Sequence, residues 1–177
     1  LCIPELMRIL MDEHGFSWDE AWDIVHRTVA YTNHTVMSEA LEKWNEDLIE
    51  RRLPRIQSII KEINQRFCAD MWNLFPGDWN KIERMSIMSH GQVRMANLSV
   101  VASQAVNGVS SLHSEIIKNS IFKDFNDAYP DRFTNVTNGI AYRRWLCQSN
   151  PELATLITDC IGDGFVHDAS KLAEFKR

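Results

Sequence analysis

Three short clusters of neutral polar residues interrupt the apolar sequence of this chain. They are residues 31–35 (YTNHT), residues 106–109 (VNGV) followed by His113, and residues 137–140 (TNGI) followed by 143–145 (RRW). Asn, His and Thr supply uncharged hydrogen-bond donors and acceptors on short side chains, the groups that bind sugar hydroxyls. Glycine lets the backbone approach a ligand closely, and Trp offers a flat apolar face for a ring. These residue types favour a polyol or sugar pocket over a phosphate or metal site.

The same residues also fit a purely structural interpretation, and residue types alone leave both interpretations open. Asn-Gly and Thr-Asn-Gly are common in ordinary turns, and a single histidine is often a hydrogen-bonded structural residue. The motifs of P-loop nucleotide sites, zinc metalloproteases and serine hydrolases (G-x-x-x-x-G-K-[ST], H-E-x-x-H and G-x-S-x-G) do not occur in the sequence. No self-contained catalytic motif is therefore visible.

The composition is that of a globular domain and excludes several classes of protein. The 177 residues carry 19 basic and 24 acidic side chains, for a net charge of −5. Because binding to nucleic-acid phosphates usually requires an excess of Lys and Arg, we expect no nucleic-acid partner. No apolar run approaches the roughly 20 residues of a membrane-spanning helix, and no signal peptide is visible, so we expect no membrane partner.

The four cysteines do not form a metal or disulfide pattern. Cys2, Cys68, Cys147 and Cys160 lie far apart without a C-x-x-C pair, so no metal site is expected. The predicted helices place Cys68 and Cys160 on apolar faces, which indicates reduced core thiols and a cytoplasmic protein. The chain starts with Leu1 in an apolar run, and we therefore expect it to be a piece of a larger protein.

We expect helices to position the polar clusters, because most of the sequence patterns in this chain are typical of helices. Ser17 and Glu20 form a capping-box pattern at the start of one helix. Gly15 is placed to end an earlier helix over about residues 3–13. The Asn-Pro pair at 150–151 is a typical helix start near the other end of the chain.

The longest periodic stretch covers residues 47–75, where apolar side chains recur on one helical face. This stripe consists of Ile49, Leu53, Ile56, Ile60, Ile63, Phe67, Met71 and Leu74. Because Pro54 cannot donate a hydrogen bond to a helix in progress, we predict a break near residues 52–53. A second helix then begins with Pro54 in its first turn, and residues 76–78 (PGD) end it.

The second half of the chain predicts shorter elements. Residues 84–95 alternate weakly between polar and apolar side chains, which predicts at most a short strand. An apolar helix follows over about residues 97–104, and the Asn-Gly pair at 107–108 predicts a turn with positive φ. Residues 131–138 predict an extended polar segment. The fold class that we predict is mainly α with a few short strands.

Five blocks of this sequence resemble the α-glucan phosphorylases, the family of the glycogen, starch and maltodextrin enzymes. The blocks are AW-x7-AYTNHTV with EALEKW in residues 21–44, LPR with IKEIN in 53–64, AVNGV with LHSEI in 105–116, FKDF in 122–125, and TNGI with RRWL in 137–146. They occur in the family's order and spacing over nearly the whole chain. A single tetrapeptide would carry little weight, but five blocks in order make the resemblance specific.

The resemblance implies a much longer parent protein with a two-domain α/β fold of the GT-B glycosyltransferase type. Residues 1–138 would form the C-terminal part of the first phosphorylase domain, and residues 139–177 the crossing segment and the start of the cofactor domain. The implied reaction is phosphorolysis of terminal α-1,4-linked glucose to glucose 1-phosphate, with pyridoxal phosphate as cofactor. The implied partners are an α-1,4-glucan and inorganic phosphate, and the implied parent is a homodimer.

Four residues match positions of the family's active site. The resemblance places His34 at the catalytic subsite, where its side chain contacts the glucosyl 6-hydroxyl and its backbone carbonyl faces the positive charge that develops at the anomeric carbon. The resemblance also implies that Asn138 binds the same hydroxyl, that Val109 lines the glucose pocket, and that Trp145 lies near the cofactor. The lysine that forms the Schiff base is absent from this chain. We therefore expect the isolated chain to be inactive and to bind no pyridoxal phosphate covalently.

Some of these assignments have a structural alternative. For Val109 and Trp145, packing that only borders the site is an equally good interpretation. The arginines at 143–144 could face phosphate, although interdomain ion pairs suit the net charge of −5 better. His90 and His113 receive no functional role from the sequence.

The alternative function from another class is a free-standing helical carbohydrate-binding or interaction module without catalysis. Such a module would need a hydrophobic core of its own. A nucleic-acid-binding helical domain built on residues 143–145 suits neither the acidic net charge nor the scattered basic residues. The sequence favours the phosphorylase segment over both.

Overall fold

The computed structural model describes residues 1–176, and the chain divides into two compact units. Unit 1 is Leu1–Thr137, and unit 2 begins at Asn138. Within the described residues the structure is mainly helical with six short strands, so the predicted fold class is confirmed. The assignment of residues 1–138 and 139–177 to two phosphorylase domains stays a prediction.

Unit 1 is built mostly from helices joined by short turns. These are α1 (Cys2–Arg8), α2 (Trp18–Thr28), α3 (Glu46–Arg52), α4 (Pro54–Leu74), α5 (Trp79–Met85), α6 (Met95–Ala102), α7 (Ser111–Ile116) and α8 (Lys123–Ala128). The predicted capping box is confirmed, because Ser17 Oγ accepts from the Glu20 N–H and the Glu20 carboxylate accepts from the Ser17 N–H. The first helical segment continues through a π-helical turn, Ile9–Glu13, and Gly15 follows it with a φ of 73°.

The predicted break in the long apolar stripe is confirmed between α3 and α4. Asn45 Oδ1 caps α3 by accepting from the Leu48 N–H at 3.2 Å, and Pro54 is the first residue of α4. The middle of the stripe is buried, but two of its residues are partly exposed. Leu53 is 42% exposed and Leu74 is 50% exposed, because each lies at the end of a helix, beyond the neighbours that cover the middle.

The strands of unit 1 form two small sheets. They are β1 (Tyr31–Thr32), β2 (Lys43–Asn45), β3 (Met88–Ser89), β4 (Gln92–Arg94), β5 (Val106–Gly108) and β6 (Phe133–Asn135). One sheet is parallel with strand order β1-β5-β6, and the other is antiparallel with order β2-β4-β3. Each strand has only two or three residues, so the sheets are held in place largely by the helices around them.

The short strand predicted within residues 84–95 is confirmed, and the segment contains two strands, β3 and β4. The first two of these residues belong to the end of α5, residues 88–94 form the β3–β4 hairpin, and residue 95 begins α6. His90 and Gly91 make the hairpin turn with φ values of 51° and 71°. The extended segment predicted over 131–138 likewise begins in a 3-10 turn, Pro130–Arg132, before β6.

The turn predicted at Asn107-Gly108 was wrong. Both residues belong to β5, which pairs with β1 on one side and β6 on the other. The Asn107 carbonyl accepts from the Asn33 N–H at 2.9 Å. Ladder bonds on both edges of the strand outweigh the local preference of an Asn-Gly pair for a turn.

A continuous hydrophobic core connects the helices of unit 1 with the parallel sheet. Val106 of β5 and Phe133 of β6 are both buried in it. The Phe133 ring lies 6.3 Å from that of Phe122, which lies 6.1 Å from that of Phe125. This aromatic cluster fixes the position of β6 against α8.

Unit 2 contains a π-helical turn (Arg143–Gln148), α9 (Pro151–Ile161) and two 3-10 segments, Asp163–Val166 and Ala169–Lys176. The predicted start of α9 is confirmed, since Asn150 Oδ1 accepts from the Leu153 N–H at 3.2 Å. Among the described residues of this unit, only Ile157 and Phe165 are buried hydrophobics.

The cysteines are all free thiols. Cys68 is half-buried in α4, and burial raises the pKa of its thiol. The prediction for Cys160 was wrong, because its side chain is exposed on α9. Within residues 1–176, every helix is too short or too polar to cross a lipid bilayer.

Candidate functional site

The polar clusters of unit 1 meet at one edge of the parallel sheet. Because β1, β5 and β6 run in the same direction, their carboxyl ends lie side by side. His34 is the second residue after β1, Val109 follows β5 directly, and Thr137 is the second residue after β6. The loops beyond the carboxyl ends of parallel strands are where α/β proteins usually bind ligands.

The loop after β1 is held by a buried asparagine. Asn33 is 1% exposed, and its Oδ1 accepts from the Thr35 N–H at 3.0 Å while its Nδ2 donates to the Tyr31 hydroxyl at 3.3 Å. Burial raises the pKa of Tyr31, so the phenol keeps its proton. The His34 side chain between these anchored residues is exposed. The backbone of the loop is therefore fixed, while the imidazole is open to solvent.

In addition to the backbone hydrogen bonds of the sheet, a side-chain hydrogen bond joins β1 to β5. The Thr32 hydroxyl donates to Asn107 Oδ1 at 2.8 Å, and Asn107 Nδ2 donates to the Gly108 carbonyl at 3.0 Å. Asn107 therefore uses its amide to hold the sheet edge. The sequence counted this residue among the groups suited to a sugar, but the structure assigns it to the scaffold.

Helix α7 packs directly against the edge of β5 and β6. Ser110 caps the helix by accepting from the His113 N–H at 3.1 Å. The Ser114 hydroxyl lies 2.8 Å from both the Ser110 carbonyl oxygen and Asn135 Oδ1, so two acceptors share its single proton. Asn135 Nδ2 in turn donates to the Thr137 hydroxyl at 3.1 Å.

His113, to which the sequence assigned no role, connects two of the loops. Its Nδ1 accepts from the Val109 N–H at 3.0 Å, and its Nε2 lies 3.3 Å from the Thr35 carbonyl oxygen. The only sequence signal for this contact was its position four residues after Val109, at the start of a capped helix. Nothing in the sequence indicated the contact with Thr35.

A cavity of about 310 Å³ opens beside the loop after β1. His34 and Thr35 line it together with Glu42 and Met95, and its volume is at the small end of the range for ligand pockets. Val109 is not part of its lining, so the cavity alone does not join the two predicted residues of unit 1. The loops that carry His34 and Val109 are instead connected by the pairing of β1 with β5 and by the contacts of His113 with Thr35 and Val109.

A larger cleft of about 440 Å³ lies elsewhere in unit 1, between α2, α4 and the end of α8. Trp18, Trp22, Arg66 and Arg132 line it. The cleft contains none of the predicted site residues, and its arginines make contacts of their own. Arg66 binds Glu62 at 2.6 Å, and Arg132 donates to the Val100 carbonyl at 2.9 Å. Size alone therefore does not identify the functional site.

Unit 2 carries the other two predicted residues. Asn138 is its first residue and is exposed. Trp145 lies in the π-helical turn and is 64% exposed. The approach of Asn138 to His34 stays a prediction.

Sequence comparison identifies the family. Residues 1–177 match the family model described as carbohydrate phosphorylase. The chain belongs to this family. The resemblance drawn from the five sequence blocks is thereby confirmed.

Several glycogen phosphorylases are closely similar to this phosphorylase chain. It is 53% identical to the enzyme of Bacillus subtilis (strain 168) over 172 residues, 52% identical to the muscle form of Homo sapiens over 175, and 51% identical to the brain form of Rattus norvegicus over 175. Each alignment covers 97% of this chain, but only 22% of the first relative and 21% of the other two. The chain thus spans about a fifth of the length of these relatives.

Proposed function

We propose that this chain is a segment of an α-glucan phosphorylase and supplies part of its glucose subsite. The parent enzyme, with a GT-B fold, would transfer the terminal α-1,4-linked glucose of a glucan to inorganic phosphate and release glucose 1-phosphate. Besides family membership, the observation that carries this proposal is the convergence of the polar loops at one sheet edge. A free-standing binding module has no comparable support, since the chain aligns with a fifth of much longer enzymes.

In this proposal two exposed polar side chains bind the glucosyl 6-hydroxyl. The His34 imidazole and the Asn138 amide are both exposed, so neither must be released from a buried position before it meets a ligand. A hydroxyl is both donor and acceptor, and these two side chains together can satisfy both of its roles. Val109, which is half-buried, would supply part of the apolar wall of the subsite.

Pyridoxal phosphate is the cofactor that the family implies for the complete enzyme, where its phosphate group would serve in proton transfer. We propose only Trp145 of this chain as a neighbour of the cofactor. The adjacent Arg143 is used within unit 2, where its Nε donates to the Val166 carbonyl at 2.6 Å and its guanidinium lies 4.7 Å from the Tyr142 ring centre. These residues do not make a cofactor site by themselves, and we assign no chemical step to the cofactor.

The isolated chain should have no phosphorylase activity, because it lacks the cofactor lysine. Release of glucose 1-phosphate by the purified 177-residue chain, or a stoichiometric pyridoxal phosphate absorbance band, would contradict this expectation. From family membership alone, we also propose that the parent is a cytoplasmic homodimer.

Alanine variants of the two polar residues test the subsite in the full-length enzyme. His34→Ala and Asn138→Ala should each lower kcat/KM by about 10²- to 10³-fold, the effect typical of removing one polar contact to a reacting group. His14→Ala and Asn73→Ala are matched controls, because both side chains are exposed and lie outside the sheet edge. Initial rates of glucose 1-phosphate release give the comparison.

A modified substrate shows whether the 6-hydroxyl is the group that is bound. In the reverse reaction, 6-deoxyglucose 1-phosphate lacks this hydroxyl, so the wild-type enzyme and both variants should use it at similar rates. A site that hydrogen-bonds a hydroxyl discriminates strongly against the analogue without it. Unchanged kcat/KM of both variants with glucose 1-phosphate would show that the site assignment is wrong.

A further inference from the structure

His113 holds backbone groups of the two loops that carry His34 and Val109. One ring nitrogen contacts Val109 and the other contacts Thr35, 78 residues away in the sequence. We propose that His113 is a positioning residue for the glucose subsite: it fixes both loops in the arrangement that binds the sugar. This inference rests on the proposed function and extends it to a residue that need not touch the substrate.

The two contacts require one particular form of the imidazole. The Val109 N–H can only donate, so Nδ1 of His113 must present a lone pair at 3.0 Å. The Thr35 carbonyl can only accept, so Nε2 must carry the proton that points to it at 3.3 Å. A neutral imidazole with its proton on Nε2 satisfies both groups at once. A side chain without both a donor and an acceptor at this spacing cannot.

The contact with Thr35 completes a clamp on the backbone next to His34. The Thr35 N–H, held by Asn33 Oδ1 at 3.0 Å, belongs to the same peptide group as the His34 carbonyl. In a trans peptide these two groups point in opposite directions, so fixing the N–H also fixes the direction of the carbonyl. His113 fixes the next carbonyl along the chain. Two consecutive peptide groups are therefore held at His34, whose carbonyl the family resemblance directs at the positive charge that develops at the anomeric carbon.

His113 is itself held in place by the start of α7. Its own N–H donates to the Ser110 hydroxyl at 3.1 Å, and the adjacent Ser114 is buried against Gly108 and Asn135. The ring therefore projects from a fixed backbone. Its two hydrogen bonds therefore hold the loops on either side in a defined position relative to α7.

Three substitutions in the full-length enzyme separate the two contacts. His113→Gln places an amide donor near the Nε2 position and can keep the Thr35 contact. His113→Asn places an acceptor near the Nδ1 position and can keep the Val109 contact. His113→Phe keeps the ring and loses both contacts.

We expect His113→Phe to lower kcat about ten- to hundredfold, the cost of a small displacement of catalytic groups. The KM values for glucan and phosphate should stay within about threefold, because a residue that only positions the loops makes no contact with either substrate. His113→Gln should retain more activity than His113→Asn, because the Thr35 contact is nearer to the His34 carbonyl. The midpoint of thermal unfolding, measured on the same samples, shows whether each variant is folded.

A second histidine of unit 1 provides the matched control. His26 Nδ1 lies 3.0 Å from the Ala102 carbonyl oxygen, so His26→Gln changes a structural histidine away from the sheet edge. This variant should keep the wild-type kcat even if its unfolding midpoint falls.

The outcomes distinguish the two proposals. The positioning role is supported if kcat is higher for His113→Gln than for His113→Asn and His113→Phe and the KM values are unchanged. If all three variants keep the wild-type kcat while His34→Ala is impaired, the positioning role is refuted and the subsite proposal stands. The positioning role is also refuted if each variant loses activity only in proportion to the fraction of protein that is unfolded. If His113→Phe does not fold, the comparison of kcat between His113→Gln and His113→Asn still tests the positioning role. A wild-type enzyme that releases no glucose 1-phosphate refutes the proposed function itself.

Discussion

Gly108 is a residue at which the parallel sheet and α7 approach each other closely. A Cβ atom at this position would lie 2.7 Å from Ser114 Oγ, 2.8 Å from Ser114 N and 2.9 Å from Ser114 Cα. Two of these three atoms belong to the helix backbone, which cannot rotate away as the end of a side chain can. Any larger residue at position 108 would therefore push α7 away from the sheet edge.

We expect Gly108→Ala to destabilise the protein by about 1–3 kcal/mol, the usual cost of overpacking. Gly139→Ala is the matched control, because a Cβ there meets nothing within 4 Å and the change should be nearly neutral. Urea unfolding followed by tryptophan fluorescence measures both. Equal unfolding midpoints for the two variants would contradict the close approach of α7.

The polar residues at this edge could be identified from the sequence, but which of them hold the scaffold and which stay open to a ligand could not. His34 and Asn107 are both neutral polar residues near a predicted site, yet Asn107 is engaged by Thr32 and His34 is exposed. His113 received no role because its partners lie in loops that meet only when the sheet forms. Residue type shows which groups can bind a sugar, whereas long-range pairing decides which of them are still free.

At the scale of elements, helix starts were predictable from the sequence, whereas β1 and β5 were not. Capping at Ser17 and Asn150 depends on residues within three positions of each other, so the local sequence contains the whole signal. β1 and β5 have two and three residues and pair across a long stretch of chain. No window of sequence that short can show an alternation, and the Asn-Gly pair in β5 favoured a turn instead.

An ion pair joins the first helical segment of the chain to α4. Arg55 donates to both carboxylate oxygens of Asp12, from Nε at 2.8 Å and from Nη2 at 2.6 Å. These hydrogen bonds lower the pKa of Asp12 below its ordinary value. A carboxyl group whose pKa is lower in the folded state stabilises that state above its unfolded pKa. The contribution is lost as the pH falls through the folded pKa.

We therefore expect Asp12→Asn to destabilise the protein at pH 7 and to make no further difference near pH 2. Both side chains of the pair are partly exposed, so the effect at pH 7 should be small. Urea midpoints at several pH values measure the gap between wild type and variant. Asp23→Asn changes an exposed pair within α2 and serves as the control. A gap for Asp12→Asn that stays constant down to pH 2 would contradict the role of the ion pair.

At the scale of the whole molecule, the two units differ in how much core they have. Unit 1 has a continuous core that includes side chains from α1 to β6, whereas Ile157 and Phe165 are the buried hydrophobics in the described part of unit 2. In α9, Leu153 is 38% exposed and Leu156 is 52% exposed. Sequence periodicity correctly placed α9 but could not show that most of its apolar face lacks a cover within unit 2.

We expect a peptide of residues 138–177 to be largely unfolded in water. α9 has 11 residues, which is too short for a stable isolated helix, and two buried side chains do not offset the entropy cost of ordering the chain. Circular dichroism during a thermal scan is the measurement. A segment of residues 1–137, with the core of unit 1, should unfold cooperatively in the same buffer. A cooperative transition in the shorter peptide would show that unit 2 folds independently.

The parallel sheet also determines when the loops with His34 and Val109 can take shape during synthesis. Thr32 and Asn107 are bonded across 75 positions of the chain, and β6 comes later still. A ribosome delivers the N-terminal end first, so β1 and the loop with His34 emerge before β5, the strand with which β1 pairs, has been made. Closing so long a loop is slow compared with forming a helix. A translation product that stops before β5 would contain the histidine and most of the helices, but it would lack the parallel sheet that holds the loop after β1.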